Sequence, residues 1–239
     1  MPPPKYLAQA NRLVADLPAE PRALLLEHCE LVDLQRQDLL TEAGQCADYA
    51  YFPIDSFVGS VLKLEHSNNV QVSLTGNEGM VNIELVLGMR AASLTSVVQG
   101  AGRAFKIHRI ELQKMLDTTP HLLDLLHRCI AWRMNQLAQN MACAGCHTVE
   151  QRLARWLLMA RDRAQSNELV LTHEVLALML GVRRESVTQA ASSLQKQGLI
   201  SYSRGDLTLL APHGLEAITC CCYRTDLDMY KQAIGNHAS

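Results

Sequence analysis

The chain has 239 residues, 48% hydrophobic and 19% charged, with a formal net charge of −2. That length and apolar content suffice for one large domain or two small ones, and the charge excludes a uniformly basic, histone-like polyanion binder. No stretch approaches the ~20 continuous apolar residues of a membrane span, and the start Met1-Pro2-Pro3-Pro4-Lys5-Tyr6 lacks the pattern of a secretory signal. The expectation is a cytoplasmic protein with no membrane partner, whose eight cysteines are mostly reduced.

Residues 8–31 read as helical. Leu13, Leu17, Leu24, Leu25 and Leu31 recur at helical spacing, and Pro18 and Pro21 break the run into two short helices. Residues 34–107 read as strands. Val70-Gln71-Val72-Ser73-Leu74-Thr75 alternates strictly, which places Val70, Val72 and Leu74 on one face. Asn68-Asn69 suits a tight turn before it. Gly44, Gly76, Gly79, Gly88, Gly100 and Gly102 punctuate the segment, and short strands with regular glycine turns predict a small barrel or double-sheet roll.

Residues 120–141 contain neither Gly nor Pro and predict one long helix. Leu123, Ile130, Leu137 and Ala144 form a seven-residue series, and His127, Met134 and Met141 a second one offset by four. Together they make the seam of a coiled coil, which wants a second helix and implies a homodimer. The alternative is a core helix packed on the roll. Gly145 is expected to end that helix and serve as a hinge. Thr148 and Gln151 have the spacing of a capping box, opening a helix over 149–163 with a core stripe of Leu153, Trp156, Leu157 and Ala160. Its other face carries Arg152, Arg155, Arg161 and Arg163.

Residues 173–192 carry the strongest signal. Two helices crossing steeply through a short turn need a small residue inside the first and a residue tolerant of left-handed backbone in the turn. Ala177 and Gly181 supply them, flanked by apolar Leu176, Leu180, Val182, Val187 and Ala190. This is a helix-turn-helix pattern, and its expected partner is double-stranded DNA. The second helix presents Arg183, Arg184, Glu185, Ser186, Thr188 and Gln189 near its start. Arginine can bond guanine O6 and N7, glutamate the cytosine amino group, and glutamine adenine N6 and N7. A solvated pair of Arg184 with Glu185 is the bland alternative. Gly198 ends the helix, and residues 199–210 read as a strand, turn and strand, the wing, with Arg204 at its tip. Arg204, Lys196 and Thr172 are candidate phosphate contacts, which position a protein without specifying sequence.

This arrangement resembles the Crp/Fnr family of bacterial regulators over most of the chain. The resemblance is carried by Gln151-Arg152-Leu153-Ala154-Arg155-Trp156-Leu157-Leu158, by residues 171–200, and by Gly76-Asn77-Glu78-Gly79-Met80. It implies an α+β protein with a β-roll sensor of the cyclic-nucleotide-binding type over 1–119, a dimerisation helix and hinge over 120–146, and a winged helix-turn-helix over 147–239. It also implies that Arg184-Glu185-Ser186-Val187 contacts DNA and that RNA polymerase is a partner. Cyclic-AMP-responsive members use an arginine four positions after the motif's glutamate, where this chain has Gln189. Cyclic-nucleotide members also carry Gly-Glu-Leu followed by Arg-Ser/Thr-Ala, whose arginine holds the phosphate. Here Thr95 stands near that arginine's place, and Arg90 is the only substitute in the segment. A buried phosphate without a guanidinium is poorly compensated, so cyclic AMP is not the expected effector. Iron–sulfur members use an N-terminal cysteine cluster, but Cys29 and Cys46 are the only cysteines in the first hundred residues. No cofactor or metal is expected, and the effector is left unnamed.

Cys143-Ala144-Gly145-Cys146-His147 fits C-x-x-C-H, the pattern of c-type haem attachment. The alternative function is therefore a haem or redox protein using Cys143, Cys146 and His147. A reversible thiol pair, a metal shared across a dimer, or two small helix-end cysteines are further readings. Cys220-Cys221-Cys222 read as partly buried helix residues beneath the wing, since three adjacent side chains on a helix point about 100° apart and make a poor metal site. No phosphate-binding glycine loop, nucleophile elbow or metalloprotease pair is present, so no enzyme is expected.

Overall fold

The computed structural model describes residues 9–64, 69–203 and 205–235. Asn68 and Arg204 lie outside the described residues. The chain opens with α1 (Arg12–Ala15) and α2 (Ala19–Glu27). Pro18 separates them, whereas Pro21 sits in the first turn of α2, where a missing N–H costs nothing, and does not break it. Asn11 caps α1 through Oδ1 and donates through Nδ2 to the carbonyls of Pro53 (2.8 Å) and Gly79 (3.1 Å), fastening the helix to the strands.

The expected roll is present: β1 (Glu30–Leu34), β2 (Leu39–Thr41), β3 (Tyr49–Pro53), β4 (Phe57–Leu62), β5 (Val70–Thr75), β6 (Thr95–Gly100) and β7 (Gly102–His108). They form two antiparallel sheets, ordered β1-β7-β3 and β2-β6-β4-β5. Leu34, Tyr51, Val58, Val81, Val98 and Ala104 fill one apolar cluster of the roll. The alternation expected of β5 is only partly realised. Leu74 is buried, but so are Ser73 and Thr75, because α4 and α6 lie over the strand and cover what would have been its solvent face.

After α3 (Arg109–Thr118) comes the long helix α4 (Pro120–Cys146), which runs through Gly145 instead of ending there. One side is buried through Leu122, Leu125, Leu126, Cys129, Trp132, Arg133, Gln136 and Cys143. The capping box at Thr148 opens α5 (Val149–Ala164) as expected. The C-terminal unit continues with β8 (Glu168–Val170), α6 (His173–Leu180), α7 (Arg184–Lys196), β9 (Ile200–Ser203), β10 (Asp206–Leu209), α8 (Pro212–Ile218) and α9 (Cys222–Ala233). Its strands pair in the order β8-β10-β9. The final helix returns to α4, where the Tyr230 ring meets Trp132 edge-on at 5.0 Å. Among the described residues, no helix is long and apolar enough to cross a membrane.

The arginine face expected of α5 is not solvated. Arg155 and Arg163 are buried because this side of the helix packs against α4 and the roll. Arg163 Nη2 pairs with Glu78 Oε1 at 2.7 Å, both side chains only 7% exposed, and Arg155 donates to Asn140 Oδ1 at 2.8 Å. Arg152 instead donates to the carbonyl of Leu180 at the end of α6. On α4, Arg133 donates to the Leu74 carbonyl (3.1 Å), Thr75 Oγ1 (2.9 Å) and Gln136 Oε1 (2.6 Å), and Gln136 donates to Asp226 on α9. One buried polar network thus ties roll, long helix and C-terminal unit together.

Breaking a buried ion pair from one side leaves the other charge uncompensated. Glu78→Ala is expected to lower stability by about 3–5 kcal/mol, while Glu78→Met combined with Arg163→Met recovers most of the loss, read by urea denaturation. The turn between α6 and α7 makes a second, smaller demand. Gly181 has φ 61° and ψ 41°, and a Cβ there would meet nothing nearer than Val70 Cγ1 at 3.7 Å. Gly181→Ala should therefore cost only the conformational penalty, about 1–2 kcal/mol, with the fold retained in the same measurement.

Candidate nucleic-acid interface

Thr172 caps α6, its hydroxyl accepting from the Val175 amide at 3.3 Å. Leu176, Ala177 and Leu180 face inward, and the helix closes at Gly181, with the Val182 amide donating to the Ala177 carbonyl at 3.1 Å. The small side chain of Ala177 lets α7 cross close by. Arg183 stays extended (φ −72°, ψ 149°) and is the residue before the helix, which begins at Arg184. Val187, Ala190, Ala191 and Leu194 form the buried side of α7, at the spacing of one helical face.

The opposite side leaves Arg183, Arg184, Glu185, Thr188 and Gln189 exposed at one end, with Ser186 half-buried between them. Lys196 is exposed too, but about 18 Å further along the axis. Thr172 is exposed, with its hydroxyl engaged in the cap. Arg204 falls outside the described residues, although the strands that carry the wing are paired through Asp206 and Ser203.

Three residues that the sequence reading did not single out organise this end of α7. Glu174 Oε1 pairs with Arg184 Nη1 at 2.9 Å, so the solvated pair of Arg184 forms across to α6 and not with Glu185. His173 Nδ1 lies 3.0 Å from Thr188 Oγ1, and its ring stacks on Tyr202 at 4.7 Å. Tyr202 in turn donates from its hydroxyl to the Leu171 carbonyl at 2.8 Å. Burial, and next the Arg184 charge, push the His173 pKa below its ordinary value, which favours the neutral ring at neutral pH. The stack fixes the wing strand β9 to the start of α6, and so fixes wing and recognition helix relative to each other. No spacing rule would have found a contact between residues 173 and 202.

The seam of α4 borders its buried side, with Leu123 and Ile130 packed against the main apolar core. Met134 and Met141 are 65% and 82% exposed, His127 and Ala144 are exposed, and Leu123, Ile130 and Leu137 are half-buried. Next to it a cleft of about 480 Å³ runs between β5, α4, α5 and α6, lined by Val72, Leu137, Met141, Trp156, Met179 and Gly181 among others. In the roll, Thr95 is buried in β6 and its hydroxyl accepts from the Ala43 amide at 3.2 Å, while Arg90 is exposed on the surface.

The C-x-x-C-H segment is divided by helix geometry. Cys143 and His147, four apart, turn toward the α8–α9 junction, while Cys146 faces solvent. Cys143 Sγ is 3.6 Å from Cys220 Sγ, and His147 Nδ1 is 3.7 Å from Cys222 Sγ. Cys220 and Cys222 are thus not beneath the wing. Cys220 precedes α9 and so escapes the helical 100° step, which lets it share a direction with Cys222 while Cys221 stays exposed. Thioether links at both Cys143 and Cys146 would need both sulfurs accessible, and Cys143 is buried, so the haem alternative is not favoured.

Residues 151–218 match the Crp-like helix-turn-helix domain. Over 193 residues the chain is 25% identical to the CRP-like cAMP-activated global transcriptional regulator of Mycobacterium tuberculosis, covering 76% of this chain and 85% of that protein. It is 22% identical over 126 residues to the nitrogen fixation regulation protein FixK of Bradyrhizobium diazoefficiens, covering 50% of this chain and 53% of FixK, so that match spans about half of the relative's length. The fold superposes on that of FixK2 from Bradyrhizobium japonicum with a TM-score of 0.68 at 17% identity, covering 81% of this chain and 98% of that one. Both curated relatives are described as regulators, that of M. tuberculosis as a transcriptional one. Residues 151–218 thus form a Crp-like helix-turn-helix domain, and the arrangement of roll, long helix and winged helix-turn-helix is the fold seen in FixK2.

Proposed function

We propose that the chain acts as a homodimer that reads a near-palindromic DNA site through the N-terminal end of α7. The observation that carries this reading is the division of that helix. Its apolar side is buried to the last residue, and its other side leaves two arginines, a glutamate, a threonine and a glutamine grouped at the end that enters a major groove in this motif. Arg184 is the foremost candidate for guanine, Gln189 for adenine and Glu185 for cytosine. Lys196 and Arg204 are assigned to phosphates. Thr172 contributes chiefly by capping α6.

The exposed Met134 and Met141 of that seam support dimerisation, because apolar side chains gain nothing from water and a symmetry-related helix would cover them. Two-fold symmetry then sets the half-sites about 34 Å apart, or a multiple of that. The roll supports a sensor for something other than a cyclic phosphate. Thr95 already spends its hydroxyl on the Ala43 amide, and Arg90 is exposed at the surface. RNA polymerase is proposed as a partner on the resemblance to Crp/Fnr regulators alone. Binding to chromosomal DNA implies a cytoplasmic location.

Arg184→Ala is expected to lose about 1–3 kcal/mol on the best site, with relaxed preference at one base pair per half-site, measured by binding to a library of site variants. Equal weakening on every sequence would remove Arg184 from base reading. Met134→Lys together with Met141→Lys places like charges in the seam. Sedimentation should then show a monomer with weakened binding to the full site, and a variant that remains dimeric would move the interface away from α4.

A further inference from the structure

We infer that Cys143, His147, Cys220 and Cys222 form a tetrahedral metal site of the Cys3His type, with zinc as the ion it suits. The four candidate ligand atoms, three Sγ and the His147 imidazole nitrogen, all lie within 4.8 Å of one another. Bonds of about 2.3 Å to sulfur and 2.0–2.1 Å to nitrogen require, in a tetrahedron, roughly 3.8 Å between sulfurs and about 3.6 Å between sulfur and nitrogen. The observed 3.6 Å between Cys143 and Cys220 and 3.7 Å between Cys222 and His147 sit at those edges. The same 3.6 Å is far from the ~2.05 Å of a disulfide.

The three cysteines make a cluster of their own, 3%, 4% and 1% exposed, separate from the larger apolar cores. Thiols that merely filled space would be expected to merge with those cores, where Cys29 and Cys129 do lie. The surroundings suit a charged cluster. Three thiolates and a neutral imidazole around a divalent cation carry a net charge of −1, and Arg155 supplies an opposing charge beside Cys143. Gln139 Nε2 donates to Cys222 Sγ at 2.9 Å, the kind of outer contact that holds a ligating sulfur in place. A thiolate-rich tetrahedron favours a borderline-soft ion, zinc, over magnesium or calcium. Loading moves no electrons. Each thiol that binds releases its proton to solvent, so up to three protons leave per ion and affinity falls as the solution is acidified.

The site is also placed to matter. Cys143 and His147 bracket the junction of α4 and α5, and Cys220 and Cys222 bracket the junction of α8 and α9. An ion there clips the end of the long helix to the last two helices of the DNA-reading unit.

The test uses the full chain, purified reduced and without chelator. Elemental analysis should find equimolar zinc. Exchange into cobalt should give sulfur-to-metal charge transfer in the near ultraviolet and the intense visible bands of a tetrahedral ion. Cys220→Ser and His147→Gln should lower metal content and weaken or shift those bands, while Cys221→Ser and Cys146→Ser, both at exposed positions outside the cluster, should leave them unchanged. Because the cobalt spectrum is read on the unaltered chain, a misfolded variant does not decide the matter. The inference is overturned if the reduced wild-type chain takes up cobalt without a sulfur-derived band. A Cys143–Cys220 disulfide in the freshly isolated protein, or metal loss on Cys146→Ser equal to that on Cys220→Ser, also overturns it.

Discussion

The arrangement of the chain depends on a charge that water does not reach. Arg163 leaves α5 and enters a socket made by the loop between β5 and the rest of the roll, where Glu78 receives it. Gly76 is small because it must be: a Cβ there would lie 2.4 Å from Arg163 Cγ. The Gly76-Asn77-Glu78-Gly79 segment is thus the receptacle in which the roll grips α5 and the helix-turn-helix unit behind it. Taking both ions out of water costs several kcal/mol each, which the pair offsets only in good geometry. The two domains therefore cannot slide past one another by small steps. A change of relative orientation has to exchange one set of charge partners for another, giving discrete arrangements.

Much of this was legible in the sequence wherever the governing contacts are local. Gly181 and Ala177 declare a tight crossing, Thr148 and Gln151 declare a helix start, and the glycine-punctuated strands declare a roll, because each depends on neighbours a few residues away. What escaped depends on distant partners. Nothing near Arg155 or Arg163 announces that their side of α5 is the inner one, since the acceptors come from α4 and the roll. The pairing of Glu174 with Arg184 and the stack of His173 on Tyr202 require that α6 and the wing already be in place. Cys143 and Cys220 are 77 positions apart, and only the return of the chain through α8 and α9 brings them together.

Three features converge on the second half of α4. The exposed methionines, the cleft beside β5 and the cysteine–histidine cluster share a few turns of helix. Gly181, the turn of the helix-turn-helix, lines the same cleft as Met141. A molecule or a neighbouring subunit that fills this region touches the long helix and the turn that aims α7 at once. Such an occupant can bias the reading unit only to the extent that it binds one arrangement better than another.

The contact between Arg184 and Glu174 has an effect on how strictly a reader of this kind discriminates. An arginine with no other partner loses its bonding entirely when it faces the wrong base. Here the guanidinium has a carboxylate to fall back on, in an exposed and therefore weak pair. In the proposed reading of a base by Arg184, the correct base has to displace that resting partner, whereas a mismatch leaves the pair in place. Under that proposal the gap between right and wrong base shrinks by the worth of the pair, which suits graded occupancy of related sites better than a single invariant address.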